Sequence, residues 1–184
     1  VEHFYLYNNN SEDNYMNVLK PYIECGLVTL TQWPYNQKQM ECYMACIDEY
    51  ASETKWLGFI DIDEFIVPKS TNSVYDFLQP FEKKAGSVNI YWKIFGTSGQ
   101  LDRKLSGLVS EDFMVCWPKY MDLGKCFYNT AFGFDSNSKH AAQLHHKFWA
   151  NYKGKDIPPV NIFNKICIGN RNVAHTSDFP IQIH

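Results

Sequence analysis

The sequence predicts an α/β fold: a Rossmann-like mixed, mostly parallel sheet flanked by helices. Three observations predict it. Strand-like and helix-like segments alternate as βαβαβ between His3 and Asp61. Polar stretches, YNNNSED at 7–13 and DIDE at 61–64, follow strand segments where a parallel sheet opens a ligand crevice. The length of 184 residues, with 45% hydrophobic and 20% charged, fits one globular domain with a sizeable core.

The first strand lies in VEHFYLYNNN. Tyr15, Val18, Leu19, Tyr22 and Ile23 then recur at helical spacing, with Pro21 loosening the last turn and Gly26 ending it. LVTLTQW is the second strand. After Pro34, residues 37–53 place Met40, Tyr43, Met44, Ile47 and Ala51 on one helical stripe, and KWLGFID supplies the third strand. A short helix capped by Ser73 is expected in SVYDFLQPFEKK. SVNIYWKIF alternates Val88, Ile90, Trp92 and Ile94 against Asn89, Tyr91 and Lys93, which predicts a half-exposed strand ending in the turn FGTSG. Beyond Gly107 only short strand candidates remain, at 125–130, 165–168 and 172–175. We expect residues 1–184 to form a single domain, with a nucleotide- and metal-binding half at 1–69 and an acceptor-side half at 70–184. A first residue of Val1 and a strand-like end at His184 suggest part of a longer polypeptide.

A net charge of −3 offers no basic field, which excludes nonspecific nucleic-acid binding. The 16% aromatic content suits ring-shaped ligands. Six cysteines lack the Cys-x2-Cys pairs of structural zinc sites and read as reduced thiols.

The chemistry concentrates in KWLGFIDIDEFIVPK, where Asp61, Asp63 and Glu64 interrupt an apolar run. Desolvated charges cost several kcal/mol unless paired or metal-bound. If the strand continues to residue 63, Asp61 and Asp63 share one side and Glu64 takes the other. Two carboxylates at a strand end suit Mg2+ or Mn2+, which keep open positions for water and phosphate, so a diphosphate is the expected partner. Lys125 is a candidate phosphate partner, and the FGTSG turn, with Ser98, offers groups for a sugar hydroxyl or phosphate.

HFYLYNNNSED, YNQKQMECYMACID, WLGFIDIDEFIVP and WKIFGTSG, in this order, resemble glycosyltransferase family 92 and related bacterial enzymes of GT-A fold. The resemblance implies a GT-A domain whose Asp-x-Asp pair, Asp61 and Asp63, coordinates Mn2+ (or Mg2+) on the diphosphate of a UDP-sugar. It further implies His184, in the terminal IQIH, as a third metal ligand. It places Asn9, Asn10, Asp13 and Gln39 near the nucleotide and His146 near the pyrophosphate or acceptor. Glu111, ahead of Asp112, becomes the candidate catalytic base. Asn8 stands where the family usually has Asp. The implied reaction transfers a hexose, plausibly galactose, to a glycan or lipid-linked acceptor with inversion. Bacterial cytoplasm, with peripheral association at the inner face of the membrane, is the expected setting, and the Golgi lumen the alternative. Two other readings stay open: a metal-dependent nucleotidyltransferase, for which YNNNSED lacks the Gly/Arg/Lys phosphate loop, and a noncatalytic glycan-binding domain.

Overall fold

The first two strands pair as the alternation predicts. β1 (Phe4–Asn8) and β2 (Val28–Gln32) run parallel, with Phe4 opposite Val28 and Asn8 opposite Gln32. The computed structural model describes residues 1–102, 108–118, 120–121, 123–133, 142–143, 147–167 and 179–184; the strand candidate at 172–175 lies outside them. Helix α1 (Tyr15–Glu24) connects β1 to β2. Its half-buried line is Tyr15, Leu19 and Ile23, while Val18 and Tyr22 face solvent, so the apolar stripe is narrower than the five-residue pattern predicts. Pro21 sits inside α1, and Gly26, at φ +76°, turns the chain into β2. Helix α2 (Gln39–Tyr50) continues as a 3-10 turn at Ala51–Glu53 and buries Cys42, Tyr43, Cys46 and Ile47.

The chain divides into two units, Val1–Glu53 and Thr54–His184. In the first, Asn8 donates to the Tyr15 hydroxyl at 3.1 Å and to Gln32 Oε1 at 2.8 Å, and accepts from the Ser11 N–H at 3.1 Å. Asn8 thus ties the ends of both strands to the start of α1. Tyr5 stacks on Tyr50 and donates to Glu53 at 2.8 Å. Burial pushes the Cys42 thiol up to about 12 and Cys46 to about 11. None of the six cysteines forms a disulfide.

The second unit contains β3 (Trp56–Gly58), β4 (Ile66–Pro68), α3 (Val74–Leu78), β5 (Ser87–Tyr91), α4 (Val109–Asp112) and β6 (Gly124–Asn129). Short strands follow: β7 (Ala142–Gln143), β8 (Lys147–Phe148), β9 (Ala150–Tyr152), β10 (Lys155–Ile157), β11 (Val160–Asn161) and β12 (Ile181–Ile183). The central sheet has the order β11-β5-β6-β3. β11 is parallel to β5, but β6 is antiparallel to both β5 and β3. β12 pairs antiparallel with β4, and Ile183 also bridges Trp92, just beyond β5. β7 with β8 and β9 with β10 are antiparallel pairs.

The protein is therefore mixed α/β with a mixed sheet, and the expectation of mostly parallel pairing is corrected after Thr54. Parallel neighbours need crossover connections long enough for a helix on the sheet face. Between Thr54 and His184 the described helices α3 and α4 have only 5 and 4 residues. β5 is a second correction, because it is buried along its whole length and Asn89 is fully enclosed. It lies between β11 and β6, with both faces covered, where a half-exposed strand was predicted. The cap on α3 forms as expected, Ser73 Oγ accepting from the Asp76 N–H at 3.0 Å.

The core of this unit gathers Phe77, Leu78, Phe81, Val88, Ile90, Tyr91, Phe179 and Ile181. Gly124 opens β6 at its closest approach to β5. A Cβ there would stand 1.8 Å from the Ile90 carbonyl oxygen, so only glycine fits. That approach carries the next residue, Lys125, into the interior. Among the described residues no helix is long and apolar enough to cross a membrane.

Candidate functional site

The acidic stretch is a turn rather than a strand tip. β3 ends at Gly58, and the Glu64 N–H donates to the Asp61 carbonyl at 3.1 Å, closing residues 61–64. Strand alternation consequently does not orient Asp61 and Asp63, which corrects the derivation of their common side. Ile62 at the tip is 93% exposed and Asp63 is exposed beside it. The Asp61 side chain is 43% accessible, against 12% for Glu64.

Behind the turn lies Lys125, 1% exposed. Its ammonium donates to Asp61 Oδ2 at 3.0 Å and stands 3.8 Å from Glu64 Oε2. The same Glu64 oxygen accepts from the Asp61 N–H at 2.9 Å. Trp92 forms another wall, its ring centroid 5.7 Å from the ammonium. Burial is the main influence on the Glu64 carboxyl and holds its pKa above the ordinary value, opposed by the Asp61 N–H and Lys125. The Trp92 indole N–H also favours the charged carboxylate, although it makes no hydrogen bond of full geometry.

His184 is brought beside this turn by the β4–β12 pairing. Phe65 and His184 exchange two backbone hydrogen bonds of 2.8 Å, so the residue following Glu64 lies opposite His184. The imidazole packs on Phe95 at 4.6 Å between centroids, and its Nε2 meets the Gln182 amide. Gln182 in turn accepts from the Tyr120 hydroxyl. Burial, then the nearby Lys69 and Lys93, lower the His184 pKa and favour the neutral ring.

Phe95 begins the FGTSG turn. It bridges Cys116, and the Gly96 N–H donates to the Val115 carbonyl at 2.9 Å. Ser98, at φ 54°, accepts from the Val115 N–H through Oγ at 3.0 Å. Its hydroxyl therefore fastens the turn to the segment at 115–116. Glu111 and Asp112 sit on α4, just ahead of that segment, Glu111 exposed and Asp112 half-buried. Gln100 holds α4 by donating to the Asp112 carbonyl at 2.9 Å. Among the described residues neither carboxylate forms an ion pair.

The residues expected near the nucleotide lie in Val1–Glu53. Asn9 donates to the Trp33 and Tyr35 carbonyls at 2.7 and 2.9 Å. Asn10 adopts a left-handed backbone at φ 55°, Asp13 accepts from the Tyr15 N–H at 3.3 Å, and Gln39 is exposed at the start of α2. The Asp13 contact is the helix-start Asx interaction of a short polar residue. His146 lies outside the described residues.

Asp61, partly accessible with Oδ2 on the Lys125 ammonium, and Asp63, exposed, are solvent-accessible oxygen donors, which fits a hard divalent ion that completes its shell with water and phosphate. Among the described residues no three His, Cys, Asp or Glu side chains stand grouped as a metal-ligand set, so His184 does not converge with the two aspartates.

The family model of glycosyltransferase family 92 matches residues 1–158, a span that contains the acidic turn, Lys125 and the FGTSG turn. The chain belongs to this family. A family 92 protein of Oryza sativa subsp. japonica is 30% identical over 103 residues, covering 54% of this chain and 18% of that protein. A family 92 protein of Ricinus communis is 36% identical over 66 residues, 35% of this chain and 11% of its own length. A galactan beta-1,4-galactosyltransferase of Arabidopsis thaliana is 32% identical over 92 residues, 44% of this chain and 18% of its own length. This family 92 chain thus matches less than a fifth of each of these relatives.

Sequence reasoning missed Glu64 as a partner of Lys125, read Trp92 only as a strand residue, and did not single out Gln182. The signal for Trp92 was its place within SVNIYWKIF ahead of the FGTSG turn, and for Gln182 its place within IQIH, two residues before His184.

Proposed function

We propose that this chain carries the cation- and donor-binding part of a metal-dependent glycosyltransferase of GT-A type. It transfers a hexose, galactose by analogy with the Arabidopsis relative's name, from a UDP-sugar to a glycan or lipid-linked acceptor with inversion. The observation that carries this reading is the family match across 1–158, which encloses two solvent-accessible aspartates, Asp61 and Asp63.

Asp61 and Asp63 would hold Mn2+ or Mg2+. When bound, the cation supplies Lewis-acid stabilisation of charge developing on the diphosphate leaving group. The chain's own residues do the rest. Phe65 holds the His184 backbone and Phe95 packs on its imidazole, whose Nε2 meets the Gln182 amide, so His184 braces the strand beside the acidic turn rather than completing the ligand set. The turn at 95–99 and α4 form one arm, so Glu111 or Asp112 is delivered with the FGTSG backbone and serves as base toward the acceptor hydroxyl. Asn9, Asn10, Asp13 and Gln39 contribute nucleotide contacts, as does His146. Peripheral association with a membrane would bring lipid-linked acceptors within reach.

A thermal-shift screen of UDP-galactose, UDP-glucose and GDP-mannose, each with MnCl2 or EDTA, tests the reading. UDP-galactose with Mn2+ is expected to raise the melting temperature, following RT ln(1+[L]/Kd), and the rise is expected to vanish in Asp63→Ala. Equal stabilisation in EDTA, or in Asp63→Ala, would remove the basis for the assignment.

A further inference from the structure

The sequence offers Lys125 as a phosphate contact, yet its ammonium is enclosed at 1% exposure and directed at two side chains of the acidic turn. The contacts close a ring. The Asp61 N–H donates to Glu64 Oε2, Lys125 lies between that oxygen and Asp61 Oδ2, and the Trp92 face covers the ammonium. A salt bridge in such a setting is weak evidence for stability, since apolar replacements of the whole set are often neutral or stabilising. What the ring does accomplish is geometric. Asp61 stands on a four-residue turn with an exposed tip, while Lys125 comes from β6, held between β5 and β3 and seated by the Gly124 contact. A surface turn is thereby tied to a strand buried along its whole length.

We infer that Lys125 is a positioning residue, which touches neither donor nor acceptor but fixes Asp61, with Glu64 as the second arm, in the orientation a divalent cation requires. This rests on the reading that Asp61 and Asp63 hold that cation. Partners that orient a metal ligand change affinity by roughly 10- to 100-fold when removed.

The test is a manganese titration followed by the electron paramagnetic resonance of free Mn2+, with and without UDP, alongside circular dichroism and melting temperature. The proteins are the native chain, Asp63→Asn, Lys125→Met, and the double variant Glu64→Gln/Lys125→Met, which restores charge balance. The native chain is expected to take up Mn2+ with UDP, and Asp63→Asn to lose it. Lys125→Met is expected to bind about 10- to 100-fold more weakly. The double variant is expected to regain melting temperature over Lys125→Met while its manganese affinity stays low.

If the double variant binds Mn2+ as tightly as the native chain, Lys125 only balances charge and the inference is overturned, while the Asp63→Asn loss keeps the functional reading intact. Tighter binding by Lys125→Met overturns it in the same way. If neither Lys125 variant folds, Lys125 belongs to the fold alone and the inference is overturned. If the native chain takes up no Mn2+ in the presence of UDP, both the inference and the functional reading fall.

Discussion

Two acidic pairs in Thr54–His184 are held in opposite ways. Asp61 and Glu64 meet a buried ammonium delivered by a central strand, and one of them is itself nearly enclosed. Glu111 and Asp112 ride a four-residue helix whose described anchor is a backbone contact from Gln100. The first pair has a counter-ion built into the core, while the second presents its charges on a surface arm. This difference teaches that carboxylates of similar sequence appearance can be held in different ways, one pair tied to a buried ammonium and the other carried on a short helix.

The largest expected effect breaks the first pair at its root. Gly124→Ala places a methyl group on the Ile90 carbonyl and must push β6 away from β5, so severe loss of folded protein is expected by circular dichroism and urea melting. Next comes Lys125→Met, which strands two carboxylates. Breaking a buried pair costs about 3 to 5 kcal/mol, and the lower end applies because Asp61 is partly hydrated. Glu111→Gln, by contrast, is expected to change stability by less than about 0.5 kcal/mol, as surface substitutions do. Equal losses in Lys125→Met and Glu111→Gln would erase the contrast.

Acidity sharpens it further. The Glu64 carboxyl has a raised pKa in the folded chain, so over the interval between its ordinary value and the raised one the folded state binds more protons than the unfolded state. Stability from this group therefore falls as pH rises through that interval and is constant above it. Comparing urea midpoints of the native chain and Glu64→Gln, the native chain should gain relative to the variant on acidification; no relative change would contradict the burial argument. A small, local effect is expected at Ser98→Ala, which removes one acceptor for the Val115 N–H and should cost about 1 kcal/mol or less, with the loss confined to hydrogen exchange around 95–99 and 113–117.

The local parts of this architecture were legible. Hydrophobic spacing located α1 and α2, Gly26 ended the first of them, and Ser73 announced the start of α3, because each depends on neighbours within one or two turns. The β4–β12 pairing, which sets His184 opposite Phe65, joins segments far apart in sequence and was not legible. The pairing of β3 with β6 was not legible, since Leu57 and Tyr128 meet across a separation no local pattern encodes. The role of Lys125 was hidden for the same reason. A lysine reads as solvated until the strand that buries it is placed against Asp61, and the turn at 61–64 reads as strand while its closing hydrogen bond is unknown.

The most direct measurement of the central claim is calorimetric titration of UDP into the chain, with MnCl2 or with EDTA, for the native protein and Asp63→Ala. The account predicts heat of binding only for the native protein with Mn2+ present. Equal heats in EDTA, or from Asp63→Ala with Mn2+, would contradict it.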